Sequence, residues 1–184
     1  MLARARSLAW PVAGAIAGLF FAHWPMLSTG LGQVQYDIGD TRLINFIFEH
    51  SWKWLIGAPA HQRLFDAPFF FPARNVLAYS ETLVGSAPLY WLFRVFGARW
   101  DTSFQLWLVS ASTLNFATFY LLLVKRLKVS QAAATIGALL FAFGSPRLNQ
   151  LGHSQLVPQF YSVLCLYGLL AIASEETPPA IRAR

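Results

Sequence analysis

Four apolar runs alternate with more polar connections along this chain. They lie at residues 8–28, 103–124, 129–144 and 156–173, and none of them contains Asp, Glu, Lys or Arg. A helix of about 20 apolar residues crosses a hydrocarbon core about 30 Å thick. The pattern therefore predicts an all-α integral membrane protein with about four transmembrane helices.

The first connection, residues 29–102, is long and carries its own pattern. Residues 41–56 place apolar side chains on one face of a helix and charged side chains on the other, which is typical of a helix lying on a membrane surface. Residues 66–72, DAPFFFP, contain two prolines that favour an extended or turning segment. We therefore expect a long loop with surface-lying helices between the first two apolar runs.

Residues 82–97 leave two topologies open. The segment contains a glycine, a proline and Arg94, so it is a poor spanning helix. If it stays on the outer side and the N-terminus is cytoplasmic, the basic clusters at residues 125–128 and 182–184 are cytoplasmic too. If it crosses, both clusters move outside. The positive-inside rule therefore favours four spans with a re-entrant or surface-lying segment, and five spans is the alternative.

In the four-span topology the whole chain, residues 1–184, forms one transmembrane domain with a cytoplasmic N-terminus. Residues 29–102 are then a long extracytoplasmic loop, and residues 175–184 form a flexible cytoplasmic tail. The short connection at residues 145–155 lies on the outer side as well. We therefore expect its polar side chains to face the long loop.

The composition supports the membrane class. Hydrophobic residues make up 56% of the 184 residues and charged residues only 12%, which is about half of their share in a soluble domain. The net charge of +6 comes from Lys and Arg residues that are scattered or border apolar runs, so they are topology signals and no nucleic-acid partner is expected. The single cysteine, Cys165, lies inside an apolar run and predicts no disulfide framework.

Two segments carry a resemblance to a known family: DAPFFFPARNVLAYSETLVGSAPLYWLFRVFG at residues 66–97 and FGSPRLNQLGHSQLVPQFY at residues 143–161. They look like segments of bacterial membrane proteins placed in the GT-C glycosyltransferase superfamily. The order of a first span, an Asp pair, surface helices, an aromatic-proline segment and a basic-ended span also resembles the N-terminal part of these enzymes. The match covers most of the chain and rests more on architecture than on any motif.

The resemblance implies an enzyme of the bacterial inner membrane, with membrane lipid around it. Such an enzyme transfers a sugar from a polyprenyl-phosphate donor to an extracytoplasmic acceptor, with inversion at the anomeric carbon. Because members of the superfamily have more spans, we expect a truncated protein or another membrane chain that supplies the missing spans. The alternative is a non-catalytic membrane subunit that binds lipid or takes part in transport.

Asp37 and Asp40 are the candidate catalytic residues, since the resemblance implies an acidic general base or metal ligand in the first outer loop. A carboxylate suits this role because the acceptor hydroxyl must lose its proton. The pair alternatively holds Mg²⁺ or Mn²⁺ through oxygen ligands. A structural interpretation is that Asp40 caps a helix beginning at Thr41. His50 and His61 lie eleven residues apart and lack the spacing of zinc ligands, so no zinc site is predicted.

Five further residues are candidates for binding the substrate. A guanidinium matches phosphate oxygens with two parallel donors, and an imidazole or carboxylate can position the acceptor. The candidates are Arg94, Arg147, Arg74, His153 and Glu81. Four of them have a structural alternative: Arg94 extends to the headgroups, Arg74 is an interface anchor, the histidine is an interfacial polar residue, and the glutamate stabilises a helix N-terminus.

Overall fold

The computed structural model describes residues 2–34 and 39–176. Every regular element within those two ranges is helical, which confirms the all-α prediction there. The helices are, in chain order, α1 (Leu2–Ser28), α2 (Asp40–Leu55), α3 (Ala87–Val95), α4 (Trp100–Leu121), α5 (Gln131–Phe143), α6 (Ser145–Leu148) and α7 (Phe160–Glu176). Single 3₁₀ turns lie at Pro59–His61, Val76–Ala78 and Ser154–Leu156, and a π-helical stretch at Leu122–Arg126 extends α4. Most of the predicted C-terminal tail lies outside the described residues.

Three helical stretches are long and apolar enough to span a membrane. They are Ala9–Ser28, Trp100–Arg126 and Ser154–Ser174, and they coincide with the first, second and fourth apolar runs. These stretches indicate a membrane protein. The third apolar run and the ambiguous segment at residues 82–97 are not among them, so neither four nor five spans is confirmed.

The third apolar run forms only a short helix, α5. Its first turn is capped by the Ser130 side chain, and at its other end Gly144 adopts an extended conformation, one residue before a Ser-Pro pair. The 13 helical residues rise about 20 Å, less than a hydrocarbon core of about 30 Å. Within residues 82–97, α3 has nine residues and is shorter still.

The chain divides into two compact units. The first comprises Met1–Trp24, Ala111–Asn149 and Pro158–Arg184, and the second comprises Pro25–Ser110 and Gln150–Val157. In the second unit lie α2, α3 and all but one of the candidate site residues that the structure describes.

Glycines bring α1 close to α5 in the first unit. A Cβ atom on Gly18 would lie 2.2 Å from Cδ2 of Phe143, and one on Gly14 would lie 2.8 Å from Cγ2 of Thr135. Both distances are well below van der Waals contact, so a side chain at either position would require Phe143, Thr135 or the helices themselves to shift. The two glycines are four residues apart and share one helix face, a spacing that lets apolar helices pack closely.

An aromatic cluster forms the core of the second unit. The ring of Phe48 on α2 lies 4.6 Å from that of Trp107 and 5.3 Å from that of Tyr90, measured between centroids. Phe104 stacks on Trp107 at 5.6 Å, and all four side chains are buried. Such aromatic pairs contribute roughly 0.5–1.5 kcal/mol each beyond the area that they bury. The cluster therefore fixes α2 against α3 and the first turns of α4.

The position of α2 follows from its amphipathic sequence. Its buried face carries Ile44, Ile47 and Phe48, whereas Arg42 on the opposite face is exposed. The helix ends where Gly57 adopts a left-handed conformation with φ of +71°, which residues with a side chain rarely adopt. The predicted amphipathic helix at residues 41–56 is therefore present, and its first residue is Asp40.

Candidate active site

Asp40 and His153 form a direct contact in the second unit. The Oδ2 atom of Asp40 lies 2.6 Å from Nδ1 of His153, although 113 positions separate the two residues in the chain. Their side chains are 41% and 56% exposed, so solvent or a substrate can reach both. Two residues that were proposed separately, one as the base and one as a substrate ligand, are thus adjacent.

The contact determines the proton arrangement on His153. A carboxylate oxygen only accepts hydrogen bonds, so Nδ1 of His153 must carry the proton that it donates to Asp40. In the neutral imidazole, the other ring nitrogen, Nε2, then holds the free lone pair. The pair therefore presents a nitrogen base on a side chain that is 56% exposed and that a carboxylate orients through the other ring nitrogen.

The backbone around each partner explains why the side chains meet. Gly39 occupies the N-cap position of α2 and Asp40 is the first helical residue, so the cap interpretation of Asp40 is wrong. A carboxylate at this end of a helix lies in the favourable field of the helix dipole. His153 precedes the single 3₁₀ turn Ser154–Leu156, which packs against α2. The carboxylate is thus available to His153 because it is not used as a cap.

Three buried polar side-chain atoms on residues close in the chain to Asp40 or His153 have no hydrogen-bond partner among the described residues. They are Oγ1 of Thr41, which follows Asp40, and Oγ of Ser154, which follows His153; Oδ1 of Asn45, one turn further along α2, has none either. Each residue is at most 3% exposed. An unsatisfied buried polar group costs about 1–3 kcal/mol, so such atoms favour an ordered water or a polar ligand.

Arg94 is held by Glu49 of α2. Its Nε and Nη2 atoms lie 3.0 and 3.1 Å from the two carboxylate oxygens of Glu49, and Nη1 donates to the backbone oxygen of Ala98. The Tyr90 hydroxyl donates to the same carboxylate at 2.7 Å, and burial, followed by the Glu49 hydrogen bond, raises the pKa of Tyr90. Nη1 and Nη2 of Arg94 therefore donate to protein oxygens and Nε lies close to the carboxylate, and the role of Arg94 as a phosphate ligand stays a prediction.

The other three predicted substrate ligands are Arg74, Glu81 and Arg147. Arg74 is exposed and lines a cavity of about 450 Å³ together with Arg63 and the Phe71 ring. Glu81 is half-buried in the loop before α3. Arg147 belongs to the first unit, where its Nε donates to the backbone oxygen of Phe141 at 3.4 Å, and burial lowers the pKa of its guanidinium.

Asp37, the second predicted catalytic residue, lies outside the described residues. In the part of the chain that is described, no group of three or more His, Cys, Asp and Glu side chains converges on a point that could hold a metal ion. The Mg²⁺ or Mn²⁺ site of Asp37 and Asp40 therefore stays a prediction.

Sequence reasoning missed two interactions of α2. Glu49 was not a candidate, yet it is the centre of the network with Arg94 and Tyr90. His50 and His61 were rejected on their spacing, yet their Nδ1 atoms lie 2.7 Å apart. The sequence contained a weak signal for both, because Glu49 and His50 directly follow Phe48, which belongs to the apolar stripe of the predicted helix.

We compared the chain with models of protein families, with curated proteins and with solved structures, and none of them matches it.

Proposed function

We propose that this chain is a membrane-embedded glycosyltransferase of the GT-C type. It would transfer a sugar from a polyprenyl-phosphate donor to a hydroxyl group of an extracytoplasmic acceptor. The observation that carries the proposal is the 2.6 Å contact between Asp40 and His153. It supplies an oriented, accessible base, His153, in contact with the carboxylate of Asp40, for which the resemblance implies a role in the first outer loop.

The reaction follows from the proton arrangement of the pair. Nε2 of His153 takes the proton of the acceptor hydroxyl, and the oxygen of that hydroxyl attacks the anomeric carbon of the donor sugar. The bond between that carbon and the phosphate oxygen breaks, and the electron pair leaves with the polyprenyl phosphate. The carboxylate of Asp40 stabilises the imidazolium that forms, so His153 is the base and Asp40 holds it in the productive tautomer.

The buried atoms without a partner support a polar ligand in this part of the second unit. Oγ1 of Thr41 and Oγ of Ser154 belong to the residues that directly follow Asp40 and His153, and both are buried without a partner among the described residues. A sugar or acceptor hydroxyl is both a donor and an acceptor, so it suits such groups.

The activity test uses membranes that contain the full chain and a synthetic polyprenyl-phosphate sugar labelled in the sugar. We expect Asp40→Asn and His153→Gln each to lower label transfer by at least about 100-fold, the usual contribution of general base catalysis. The double variant should lose little more, because the two residues act as a unit.

Asp101→Asn is the matched control, because Asp101 also lies in the first turn of a helix, α4, and its carboxylate contacts its chain neighbours Arg99 and Thr102. It should transfer label like the unmodified chain. Full transfer by Asp40→Asn and His153→Gln, at normal expression and membrane insertion, would contradict the proposal.

The four-span topology, with a cytoplasmic N-terminus in a bacterial inner membrane, belongs to the same proposal. It requires α5 to cross the membrane although its helix has only 13 residues. Either flanking residues extend the crossing segment, or a second membrane chain supplies further spans. The basic residues at positions 125–128 and 182–184 support it, since it keeps both clusters on the cytoplasmic side.

Cysteine labelling with an impermeant reagent tests this topology in a Cys165→Ser background. Single cysteines replace residues at four exposed positions: Ser80, Arg99, Ser130 and Asn149. Four spans predict labelling from outside at every position except 130. Labelling at 80 and 130 alone would indicate five spans, and His153 would then lie on the opposite side of the membrane from the acceptor.

A lipid-binding, non-catalytic subunit is the second candidate. The cavity of about 450 Å³ beside Arg63 and Arg74 favours it, since two cations lie next to a Phe71 side chain that is 96% exposed. This arrangement suits a phosphate headgroup and its acyl chain. The alternative predicts that Arg63→Gln with Arg74→Gln weakens binding of anionic-lipid vesicles, while Asp40→Asn changes nothing measurable.

A further inference from the structure

We propose that His50 and His61 form a binding site for a transition-metal ion of the Zn²⁺ class, separate from the Asp40–His153 pair. His50 lies on α2 and His61 ends the 3₁₀ turn Pro59–His61. Their Nδ1 atoms lie 2.7 Å apart, and the ring centroids are 4.9 Å apart. The proposal does not depend on the glycosyltransferase function.

The proton arrangement of the two rings makes them ready to bind a metal. Nε2 of His50 lies 2.9 Å from the backbone oxygen of Leu64, which only accepts, so this nitrogen carries the ring proton. Nδ1 of a neutral His50 therefore holds a lone pair, and His61 must donate its own Nδ1 proton to it. A metal ion takes the place of that single bridging proton.

The support of His50 is the type that metal-ligating histidines have. Such residues almost always donate their second ring N–H to a carbonyl or carboxylate, which orients the lone pair of the other nitrogen. His50 makes this bond to Leu64 and is fully buried, so its ring is held in one orientation. One ligand of the site is thus already in place.

Only a small movement of His61 is needed. Two nitrogens at 2.0–2.1 Å from a tetrahedral zinc ion are about 3.3 Å apart, so the present 2.7 Å must widen by roughly 0.6 Å. His61 is half-buried and lies in a single 3₁₀ turn, outside any long helix. Its proton leaves Nδ1 as the metal binds, and the ring is reprotonated at Nε2, so the imidazole remains neutral.

The two imidazoles supply two of the ligands that a zinc ion takes. Because no third His, Cys, Asp or Glu converges on the pair within the described residues, water or an external ligand completes the coordination.

The test is titration of the full chain, purified in detergent, with ZnCl₂ in a calorimeter. We expect one equivalent of Zn²⁺ to bind, and His61→Ala to weaken the affinity by at least about 10-fold, which is the loss that follows even from removal of a supporting group. His61 is the residue to change because His50 is fully buried and its replacement risks misfolding. His153→Gln is the matched control and should bind as the unmodified chain does.

X-ray absorption of the zinc-loaded protein provides an independent reading, and we expect two imidazole ligands. Unchanged affinity in His61→Ala, or no binding by the unmodified chain, would overturn the proposal. Loss of binding in His153→Gln but not in His61→Ala would overturn it as well, because the ion would then belong to the Asp40 site.

Discussion

Two carboxylates on α2, Asp40 and Glu49, have opposite environments. The Glu49 side chain is 14% exposed and contacts Arg94, Tyr90 and, at 3.9 Å, Lys53. The Asp40 side chain is 41% exposed and its contact is the exposed imidazole of His153. The negative charge of Glu49 is compensated by Arg94 and Lys53. The carboxylate of Asp40 contacts His153 and is accessible to solvent.

The difference separates a structural from a chemical role. A buried ion pair with further hydrogen bonds holds helices in register, and removal of either member leaves an uncompensated charge. An exposed pair contributes little to stability, so its geometry is better explained by what it can bind or deprotonate. We therefore expect changes at Glu49 to affect folding and changes at Asp40 to affect activity.

Glu49→Gln should give the largest loss of stability. The change leaves the guanidinium of Arg94, which is 21% exposed, without its counter-charge. Both side chains are half-buried, so we expect the free energy of unfolding to fall by about 2 kcal/mol, less than when one member of a fully buried pair is removed. Denaturant unfolding in detergent, followed by tryptophan fluorescence, measures it. Lys53→Gln is the control and should lower the free energy of unfolding by at most about 0.5 kcal/mol. Equal losses in the two variants would contradict a stabilising role of the contacts among Glu49, Arg94 and Tyr90.

Tyr90→Phe should have the second largest effect. It removes the hydroxyl that donates to Glu49 at 2.7 Å but keeps the ring that stacks on Phe48. A hydrogen bond to a charged group contributes about 1.5–3 kcal/mol, and we expect a loss near the lower value because Arg94 still pairs with the carboxylate. A double-mutant cycle with Glu49→Gln should be non-additive, and strict additivity would show that the two groups do not interact.

Asp40→Asn should change stability least among the three substitutions. The variant loses one charge at the N-terminus of α2, which contributes about 0.3–1 kcal/mol. The same unfolding experiment should therefore give a shift below about 1 kcal/mol, together with the large loss of transfer activity described above. A loss as large as that of Glu49→Gln would instead indicate a structural role for the Asp40–His153 contact.

The pH dependence of stability should show the smallest effect, and it comes from His61. Because burial lowers the pKa of His61 below its ordinary value of 6.5, the unfolded chain binds a proton there at a higher pH than the folded chain does. The contribution of His61 to the free energy of unfolding is therefore fully present above pH 6.5, and it is lost as the pH falls through the lowered pKa of the folded state. Unfolding midpoints from pH 7.5 to about 5 should show a decline that is shallower in His61→Gln. An unchanged slope in that variant would contradict the shift.

The helical elements were largely predictable from the sequence. The apolar runs at residues 8–28, 103–124 and 156–173 became long helices, and the amphipathic pattern at residues 41–56 became α2. Burial in lipid or in a core depends on the hydrophobicity of side chains at helical spacing, which can be read along the chain. The run at residues 129–144 was less predictable, because the Ser130 cap and the extended Gly144 limit its helix to 13 residues.

The roles of the charged residues depended on the tertiary structure. Arg94 looked like a candidate phosphate ligand because its segment is apolar, but its partner Glu49 lies 45 positions away. Asp40 and His153 were both candidates, yet their contact spans 113 positions. Hydrogen bonds and ion pairs form over distances near 3 Å. The sequence by itself thus determined the helical, membrane-type character of the chain. Only the packing of α2 against α3 and the Ser154–Leu156 turn decided which polar groups meet, because contacts that short cannot be derived from spacing along the chain.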